Sequence, residues 1–196
     1  SWKEYDYYYQ PEMGTLPIYG NVATLHNDNG LQIKPTIFKD SVVRMNYNSN
    51  REKEKNQFYF SAVRKDTVEI PFRTSATLTK TLLEGQLQKK VRIISKMPEG
   101  EKTVLYSVPV DSVYIRMMHE SDNFIADQLL ILGSSTLSDT LSSATTRKHM
   151  LENQLADLKQ PPRWVDGSGL SRYNLFTPES MVAVLSKMYR NVPRQR

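Results

Sequence analysis

The spacing of apolar residues changes near residue 75, and this change divides the chain into two kinds of structure. Before it, apolar and polar residues alternate in short segments, a period of two that is typical of β-strands. After it, apolar residues recur every three or four positions, which is typical of amphipathic helices. We therefore expect an α+β chain with a β-rich region over residues 1–70 and a helical region over residues 71–196. Strands are predicted over 18–26, 31–34, 42–47, 57–63, 67–70, 91–94 and 104–108.

The predicted helices begin and end at residues that favour helix termini. Thr74 or Ser75 can cap the first helix, which presents leucines at 78, 82, 83 and 87. Thr177-Pro178-Glu179 combines a cap, a proline in the first turn and an acid, so a last helix should begin there. Three more helices are predicted over 113–119, 121–133 and 145–158. The remaining core positions expected on these helices are Ile125, Leu129, Leu132, Met181, Val184, Leu185 and Met188.

A hydroxyl and a carboxamide stand two residues apart at the start of the helix predicted over 121–133, in Ser121-Asp122-Asn123. A serine in this place can be a helix N-cap, because its hydroxyl can accept a hydrogen bond from a backbone N–H of the first turn. It can also serve chemistry, since a hydroxyl both donates and accepts protons. The triplet by itself is too short to separate these interpretations.

A second segment, Asp166-Gly167-Ser168-Gly169-Leu170-Ser171-Arg172-Tyr173-Asn174-Leu175, is long enough to be specific. Two glycines this close indicate a backbone with positive φ or a close approach by another element. The segment lacks the spacing of the Gly-x-Ser-x-Gly nucleophile elbow, so Ser168 is not expected to be a nucleophile. We predict a structural loop that the polar groups of Asp166, Arg172 and Asn174 help to hold. A direct substrate role for these polar groups is the less favoured alternative.

Together these segments resemble the class C, low-molecular-mass penicillin-binding proteins, the D-alanyl-D-alanine carboxypeptidase and endopeptidase family. Ser-Asp-Asn is one of three motifs of such enzymes, beside Ser-x-x-Lys and Lys-Thr-Gly. Ser1 to Tyr5, with the tyrosines that follow, resembles the family's Trp-containing segment, and Ser107 to Val113 resembles the approach to the Ser-Asp-Asn helix. The resemblance implies part of a β-lactamase/transpeptidase-like domain with a small inserted β-rich domain.

The resemblance also implies a chemistry and a compartment. The family cleaves peptidoglycan peptides ending in D-Ala-D-Ala through an acyl-enzyme, is inhibited by β-lactams and works in the periplasm or cell envelope. In this interpretation Ser121 relays a proton and Asn123 binds the substrate carbonyl, while Asp166, Ser168 and Arg172 lie in a loop near the cleft. Carboxypeptidase and endopeptidase preferences both stay open.

The other two family motifs are absent from this sequence. No serine is followed three residues later by lysine, and Lys102-Thr103 continues with Val104 instead of glycine. Thr77 and Thr145 do precede lysines at that spacing, but both are threonines on predicted helix faces. We therefore expect an internal fragment of a longer enzyme, without a nucleophile and inactive by itself. The alternative is a non-catalytic module of the same fold that binds peptidoglycan or a partner.

Composition and charge narrow the classes of function that the chain can have. The net charge is +5, but 26 Lys and Arg are interleaved with 21 Asp and Glu, and the densest cluster, residues 51–55, alternates in sign. Such a pattern favours a solvated loop over a nucleic-acid surface. No cysteine is present and the three histidines are scattered, so we expect neither a metal nor another cofactor. No apolar run reaches the ~18–20 residues of a membrane span.

Overall fold

The computed structural model describes residues 4–28, 30–96, 99–100, 103 and 106–192. The chain forms two compact units, Ser1–Ser107 and Val108–Arg196. The domain boundary near residue 70 follows the change from strands to helices and stays a prediction. Residues 1–3 of the predicted Trp-containing segment lie outside the described residues. Within the described residues, no helix is both long and apolar enough to span a bilayer.

The first unit is built on a small antiparallel sheet. Strands β1 (Val22–Asn27), β2 (Leu31–Lys34) and β5 (Val68–Pro71) form it in the order β2-β1-β5. Leu25 in the middle of β1 lies opposite Ile33 and Val68. A separate parallel pair joins β3 (Val42–Val43) to β4 (Phe58–Tyr59), and 3-10 segments cover Ile18–Asn21 and Thr36–Ser41. The strand predicted over 31–34 is therefore confirmed, and the strand predicted over 67–70 is displaced by one residue.

Several other strand predictions are too long. The first strand begins at Val22 instead of Ile18, because Tyr19 and Asn21 have left-handed φ angles of 59° and 57°, which interrupt extended backbone. The strands predicted over 42–47 and 57–63 contain only two residues each. Residues 91–94 form no strand. Of the strand predicted at 104–108, residues 106–108 form none and residues 104–105 lie outside the described residues. Within the described residues, these alternating segments therefore pair as strands over fewer positions than predicted.

Aromatic side chains fill the core of this unit. The ring of Phe38 lies 5.1 Å from that of Phe58 and 5.2 Å from that of Phe72, centroid to centroid. The first helix, α1 (Ala76–Leu87), adds Leu82 to the same core. Its N-cap is Ser75, whose Oγ accepts from Leu78 N at 3.1 Å, as the sequence predicted. The buried apolar set is Ala23, Leu25, Ile33, Phe38, Phe58, Phe60, Ile70, Phe72 and Leu82.

One end of the charged 51–55 cluster is buried, contrary to the prediction of a solvated loop. Arg51 is only 3% exposed, and its Nε donates to Pro71 O at 2.7 Å while its Nη1 donates to Glu52 O at 2.6 Å. Its guanidinium carbon lies 5.1 Å from the centre of the Tyr5 ring. Burial lowers the pKa of Arg51, although the carbonyl oxygens compensate for lost water. Arg51 therefore ties its loop to the end of β5.

The second unit is helical. It contains α2 (Val110–His119), α3 (Asn123–Ser134), α4 (Ser143–Glu152) and α5 (Pro178–Asn191). The α5 start is confirmed, because Thr177 Oγ1 accepts from Ser180 N at 3.1 Å. Helix α4 ends six residues before the predicted end, where Asn153 Nδ2 donates to His149 O at 2.8 Å. Such side-chain bonds to the backbone compete with helix propagation.

The predicted core face of α5 is largely exposed. Met181, Leu185 and Met188 keep 48%, 60% and 55% of their surface accessible, and Leu132 on α3 is also exposed. Leu130 and Ser134 are the buried residues of α3 instead. The periodicity correctly indicated amphipathic helices, but the packing of this unit does not cover the whole apolar face. The prediction that these four residues are core is therefore wrong for this structure.

We expect Phe58→Ala to lower the free energy of unfolding of the first unit by about 3–5 kcal/mol, the usual range for truncating a buried Phe. The ring is 0% exposed, so its removal leaves a cavity between Phe38 and β4. Urea denaturation followed by circular dichroism measures the change. Val63→Ala is the matched control, because Val63 is 86% exposed and its truncation should change stability by less than about 0.5 kcal/mol. Equal effects of the two substitutions would contradict this core assignment.

Candidate active site

The Ser-Asp-Asn triplet lies in the tight connection between α2 and α3. Asp122, not Ser121, is the N-cap of α3, since its Oδ1 accepts from Ile125 N at 2.9 Å. Asp122 N in turn donates to Met117 O at 2.9 Å, which closes the end of α2. The cap interpretation of Ser121 is therefore wrong. Asp122 is thus a structural acid at the N-terminus of α3.

Ser121 has an unusual backbone. Its φ is 53°, in the left-handed region that residues with a Cβ adopt only at a cost of the order of 1–2 kcal/mol. Its side chain is exposed. Non-glycine residues in this region are concentrated at functional sites, where the surrounding structure maintains them. Here the two hydrogen bonds of Asp122, to Ile125 N and Met117 O, hold the connection on either side. The hydroxyl of Ser121 is therefore exposed and does not cap α3.

Asn123 is the first residue of α3 and is half-buried. Asp127 follows four residues later, and residues at that spacing lie on the same face of a helix. Groups that approach Asp127 therefore approach the face on which Asn123 also stands. The loop containing the Gly-rich segment is such a group.

Gly167 brings this loop into contact with α3. Its N–H donates to Asp127 Oδ1 at 2.6 Å. A Cβ on Gly167 would stand 2.6 Å from the carbonyl oxygen of Ala126, which no side chain tolerates. Gly169 has a φ of +76°, so the second glycine is required by backbone conformation. Both reasons that the sequence suggested for the paired glycines are confirmed, one for each residue.

Asp166 organises the loop from inside. Its Oδ1 accepts from Gly169 N at 2.8 Å and from Asn174 Nδ2 at 2.9 Å, and its Oδ2 accepts from Ser171 N at 3.0 Å. Asn174 Oδ1 accepts from Val165 N at 2.7 Å, which joins the end of the loop to the residue that precedes Asp166. The structural role predicted for Asp166 and Asn174 agrees with these bonds.

Ser168 and Arg172 differ from Asp166 in what they contact. Ser168 Oγ accepts from Leu170 N at 3.2 Å, a local bond within the loop. Arg172 is exposed, and the described residues give it no hydrogen bond or ion pair. No contact within the described residues therefore supports the expected loop-holding role of Arg172, whereas Ser168 directly follows Gly167, the glycine that contacts α3.

The two carboxylates of the site have pKa values that move in opposite directions. Burial raises the pKa of Asp127, and the charge of nearby Asp166 raises it further, against the hydrogen bond from Gly167 N. Burial also acts to raise the pKa of Asp166, but the hydrogen bonds from Asn174, Gly169 and Ser171 outweigh it, so its pKa is lowered. Asp166 is therefore a stable anion inside the loop, while Asp127 carries its charge at a cost.

Comparison with known proteins identifies the family of the chain. The profile of a family described as the D-Ala-D-Ala carboxypeptidase 3 (S13) family matches residues 61–195, which contain both the Ser121–Asn123 triplet and the loop that begins at Asp166. The chain belongs to this family. The resemblance stated from the sequence is thereby confirmed. A comparison with curated proteins gave no match.

A solved structure supports the same fold. The chain is similar to penicillin-binding protein 4 from Haemophilus influenzae, crystallised as a complex with a novel β-lactam, with a TM-score of 0.56 and 20% sequence identity. The match covers 87% of this chain and 46% of that one, so the chain spans about half the length of the structure that it matches. At this identity the likeness shows the fold: a mixed α/β arrangement shared with a penicillin-binding protein. The inserted β-rich domain stays a prediction.

Asp127 is the site residue that sequence reasoning missed. The available signal was an acid one helical turn after Asn123, together with a Gly-rich loop whose N–H groups needed acceptors. Neither observation alone pairs the two, because they are 40 residues apart. Within the described residues no group of three His, Cys, Asp or Glu side chains could hold a metal ion.

We expect Gly167→Ala to destabilise the second unit by about 1–3 kcal/mol, because the added methyl meets a backbone carbonyl that cannot rotate away. Thermal unfolding monitored by circular dichroism measures the loss. Gly85→Ala in α1 is the control: a Cβ there meets nothing within 4 Å, and replacing a helical glycine by alanine should stabilise by up to about 1 kcal/mol. Retention of wild-type stability by the Gly167 variant would rule out the close approach to α3.

The opposite pKa shifts predict opposite pH profiles for two amide substitutions. The raised pKa of Asp127 means that the stability of the wild-type protein falls as pH rises through that pKa. The stability of Asp127→Asn, relative to that of wild type, should therefore be higher at pH 7 than at pH 3. The lowered pKa of Asp166 means that its stabilisation is present above the ordinary carboxyl range and is lost as pH falls through its folded value. Asp166→Asn should therefore cost most at pH 7 and least in strong acid.

Urea titrations of both variants from pH 2.5 to 7.5 measure these profiles, and each variant is the other's control because both replace a carboxylate by an isosteric amide. Parallel profiles would show that the two carboxylates share one environment, contrary to the structure.

Proposed function

We propose that this chain is part of a serine-type D,D-peptidase that cleaves peptidoglycan peptides ending in D-Ala-D-Ala. The observation that carries the proposal is the family match over residues 61–195, which contains the Ser121–Asn123 triplet and the loop packed against its helix. The likeness to a penicillin-binding protein crystallised with a β-lactam supports the same substrate class and inhibition by β-lactams. Such a protein acts in the cell envelope, and we place it in the periplasm.

The reaction needs residues of this chain together with a serine nucleophile that this chain does not contain. A serine elsewhere in a longer protein attacks the carbonyl of the penultimate D-Ala, its proton leaves, and the amine of the terminal residue departs as that amine gains a proton. Water then hydrolyses the acyl-enzyme. Release of a terminal D-Ala and cleavage of a cross-link use this same acyl chemistry.

Ser121 is suited to carry the proton in this scheme. A proton relay needs a positioned hydroxyl that is not already used in a structural hydrogen bond. The hydroxyl of Ser121 is exposed and is not the cap of α3, because Asp122 supplies the cap. Its backbone has a left-handed φ, and the hydrogen bonds of Asp122 to α2 and α3 hold the connection in which it lies. These features support a proton relay and give a reason for the strained conformation.

Asn123 and the loop complete the contribution of this chain. The Asn123 amide can donate to the substrate carbonyl and accept from a lysine ammonium, whereas an ionised carboxylate can only accept. The contact of Gly167 with Asp127 fixes the loop against the helix face that Asn123 shares. We assign Asp166 to holding the loop, and Ser168 and Arg172 to its surface near the cleft.

A pair of substitutions at position 121 separates the hydroxyl from the backbone. In a longer protein that contains this chain and a Ser-x-x-Lys motif, Ser121→Ala and Ser121→Gly should each slow acylation by fluorescent penicillin about 10²–10⁴-fold, the usual contribution of a positioned proton-transfer group. Gly relieves the left-handed backbone whereas Ala does not. Ser186→Ala, on the exposed surface of α5, is the control and should acylate at the wild-type rate.

Each outcome of this experiment decides something. If Ser121→Gly acylates normally, the residue matters for its backbone and the relay is wrong. If the unmodified longer protein is not acylated, the peptidase proposal fails and a non-catalytic module of the same fold takes its place. The 196-residue chain alone should show no covalent mass shift with penicillin.

A further inference from the structure

A short segment after α1 carries four cations and no acid. The sequence has no Asp or Glu over residues 85–98, and this stretch contains Lys89, Lys90, Arg92 and Lys96. Removing these four from the 26 Lys and Arg of the chain leaves 22, against 21 Asp and Glu. Without residues 89–96, which we call the basic segment, the chain would therefore be nearly neutral.

A second acid-free stretch with four cations, residues 180–196, differs in what its cations contact. Lys187 forms an ion pair with Asp157, and Arg194 and Arg196 lie outside the described residues. The four cations of the basic segment are all exposed, and among the described residues their side chains have no ion pair or hydrogen bond. Their charge is therefore available to a partner outside the chain.

Helix α1 anchors the basic segment. The helix ends at Gln88, whose φ is 51°, and the chain then turns back so that Val91 N donates to Glu84 Oε1 at 3.0 Å. Lys80 Nζ donates to the same carboxylate oxygen at 2.9 Å. Glu84 therefore fixes the segment against the helix, and its own charge is already compensated by Lys80.

Aliphatic side chains are exposed among these cations. Ile93 and Ile94 keep 59% and 58% of their surface accessible, and Leu87 at the end of α1 keeps 56%. No aromatic residue occurs over residues 85–98, whereas proteins that bind single-stranded nucleic acid stack bases on aromatic side chains. Protein segments that lie on a membrane combine Lys and Arg with apolar side chains that enter the boundary between headgroups and acyl chains. The basic segment has this second combination.

We propose that the basic segment docks the protein on an anionic phospholipid bilayer, with Ile93 and Ile94 inserted among the headgroups and the four cations at the lipid phosphates. Each Lys or Arg near an anionic membrane surface strengthens binding about fivefold. Lysine stems can lie along the apolar layer while their ammonium groups stay in the headgroup region. The docking uses none of the residues assigned to acyl transfer, so it is independent of the peptidase proposal.

Flotation of the 196-residue chain with lipid vesicles tests this docking. Vesicles of equal parts phosphatidylglycerol and phosphatidylcholine should bind the protein at least about a hundredfold more tightly than vesicles of phosphatidylcholine alone. Raising the salt concentration from about 0.01 M to about 0.15 M should weaken binding at least about tenfold, because salt screens exposed charges. Free glycerol 3-phosphate, at the same phosphate concentration as the vesicles, should not compete, because it offers no apolar layer.

Removing the four charges has a matched control. The variant K89Q/K90Q/R92Q/K96Q should weaken vesicle binding at least about a hundredfold, since four contributions of about fivefold multiply. The control removes four exposed lysines elsewhere in the same unit, K34Q/K39Q/K55Q/K65Q, and should weaken binding less than about fivefold. The two variants have the same net charge, so any difference between them reports where the charge lies. Circular dichroism establishes that each variant is folded.

The isoleucines are tested in the same way. I93S/I94S should weaken binding to the anionic vesicles at least about tenfold, because less apolar surface leaves water on docking. I37S/I115S is the control, since Ile37 and Ile115 are 45% and 59% exposed outside the basic segment. This control should leave binding within about twofold of wild type.

Equal binding to anionic and neutral vesicles would overturn the proposal, as would equal weakening by the two quadruple variants. Unchanged binding of I93S/I94S would overturn it in favour of adsorption to any anionic polymer, and competition by glycerol 3-phosphate would do so in favour of a free phosphate ligand. Tighter binding to duplex DNA than to anionic vesicles would make nucleic acid the partner instead. Penicillin acylation of the longer protein is measured separately, so failure of vesicle binding leaves the peptidase proposal standing.

Discussion

The close approach of Gly167 to α3 is the contact that places the Gly-rich loop against the helix face that carries Asn123. A backbone N–H meets the Asp127 carboxylate at 2.6 Å, and no side chain can stand between the loop and the Ala126 carbonyl. This contact spans 40 residues, so it fixes a loop that the helix could not otherwise position. The hydrogen bonds of Asp166 and Asn174 hold the conformation of the loop, and the contact of Gly167 with Asp127 places the loop beside the helix face that carries Asn123.

The polar groups of the chain are of two kinds: those whose hydrogen-bond partners lie within the protein, and those that are exposed and can contact a ligand. Asp166 is an anion surrounded by donors, and Arg51 is a buried cation surrounded by carbonyl oxygens, so both are structural. Ser121 is exposed and does not cap α3. Buried charges need partners, whereas exposed groups without partners can serve ligands. The proposed proton relay at Ser121 is a group of the second kind.

Sequence reasoning succeeded where the governing contacts are local. The Ser75 and Thr177 caps, the strand at 31–34 and the positive φ of Gly169 each depend on a few neighbouring residues, and each was predicted correctly. It failed where a distant partner decides the outcome. Strands over 42–47 and 57–63 needed neighbours that exist for only two residues. The apolar face of α5 is a property of its sequence, but its exposure is a property of the packing.

The amino-acid sequence by itself determined the family, through two segments whose residue types and spacing are specific, and it determined the α+β character through periodicity. Only the tertiary structure decided that Asp122 caps α3 and leaves Ser121 exposed with a left-handed backbone, and that Asp127 receives the Gly-rich loop. The physical reason is that composition and spacing constrain which bonds a segment can make. Which of those bonds form depends on what lies opposite, and that is known only once distant parts of the chain are brought together.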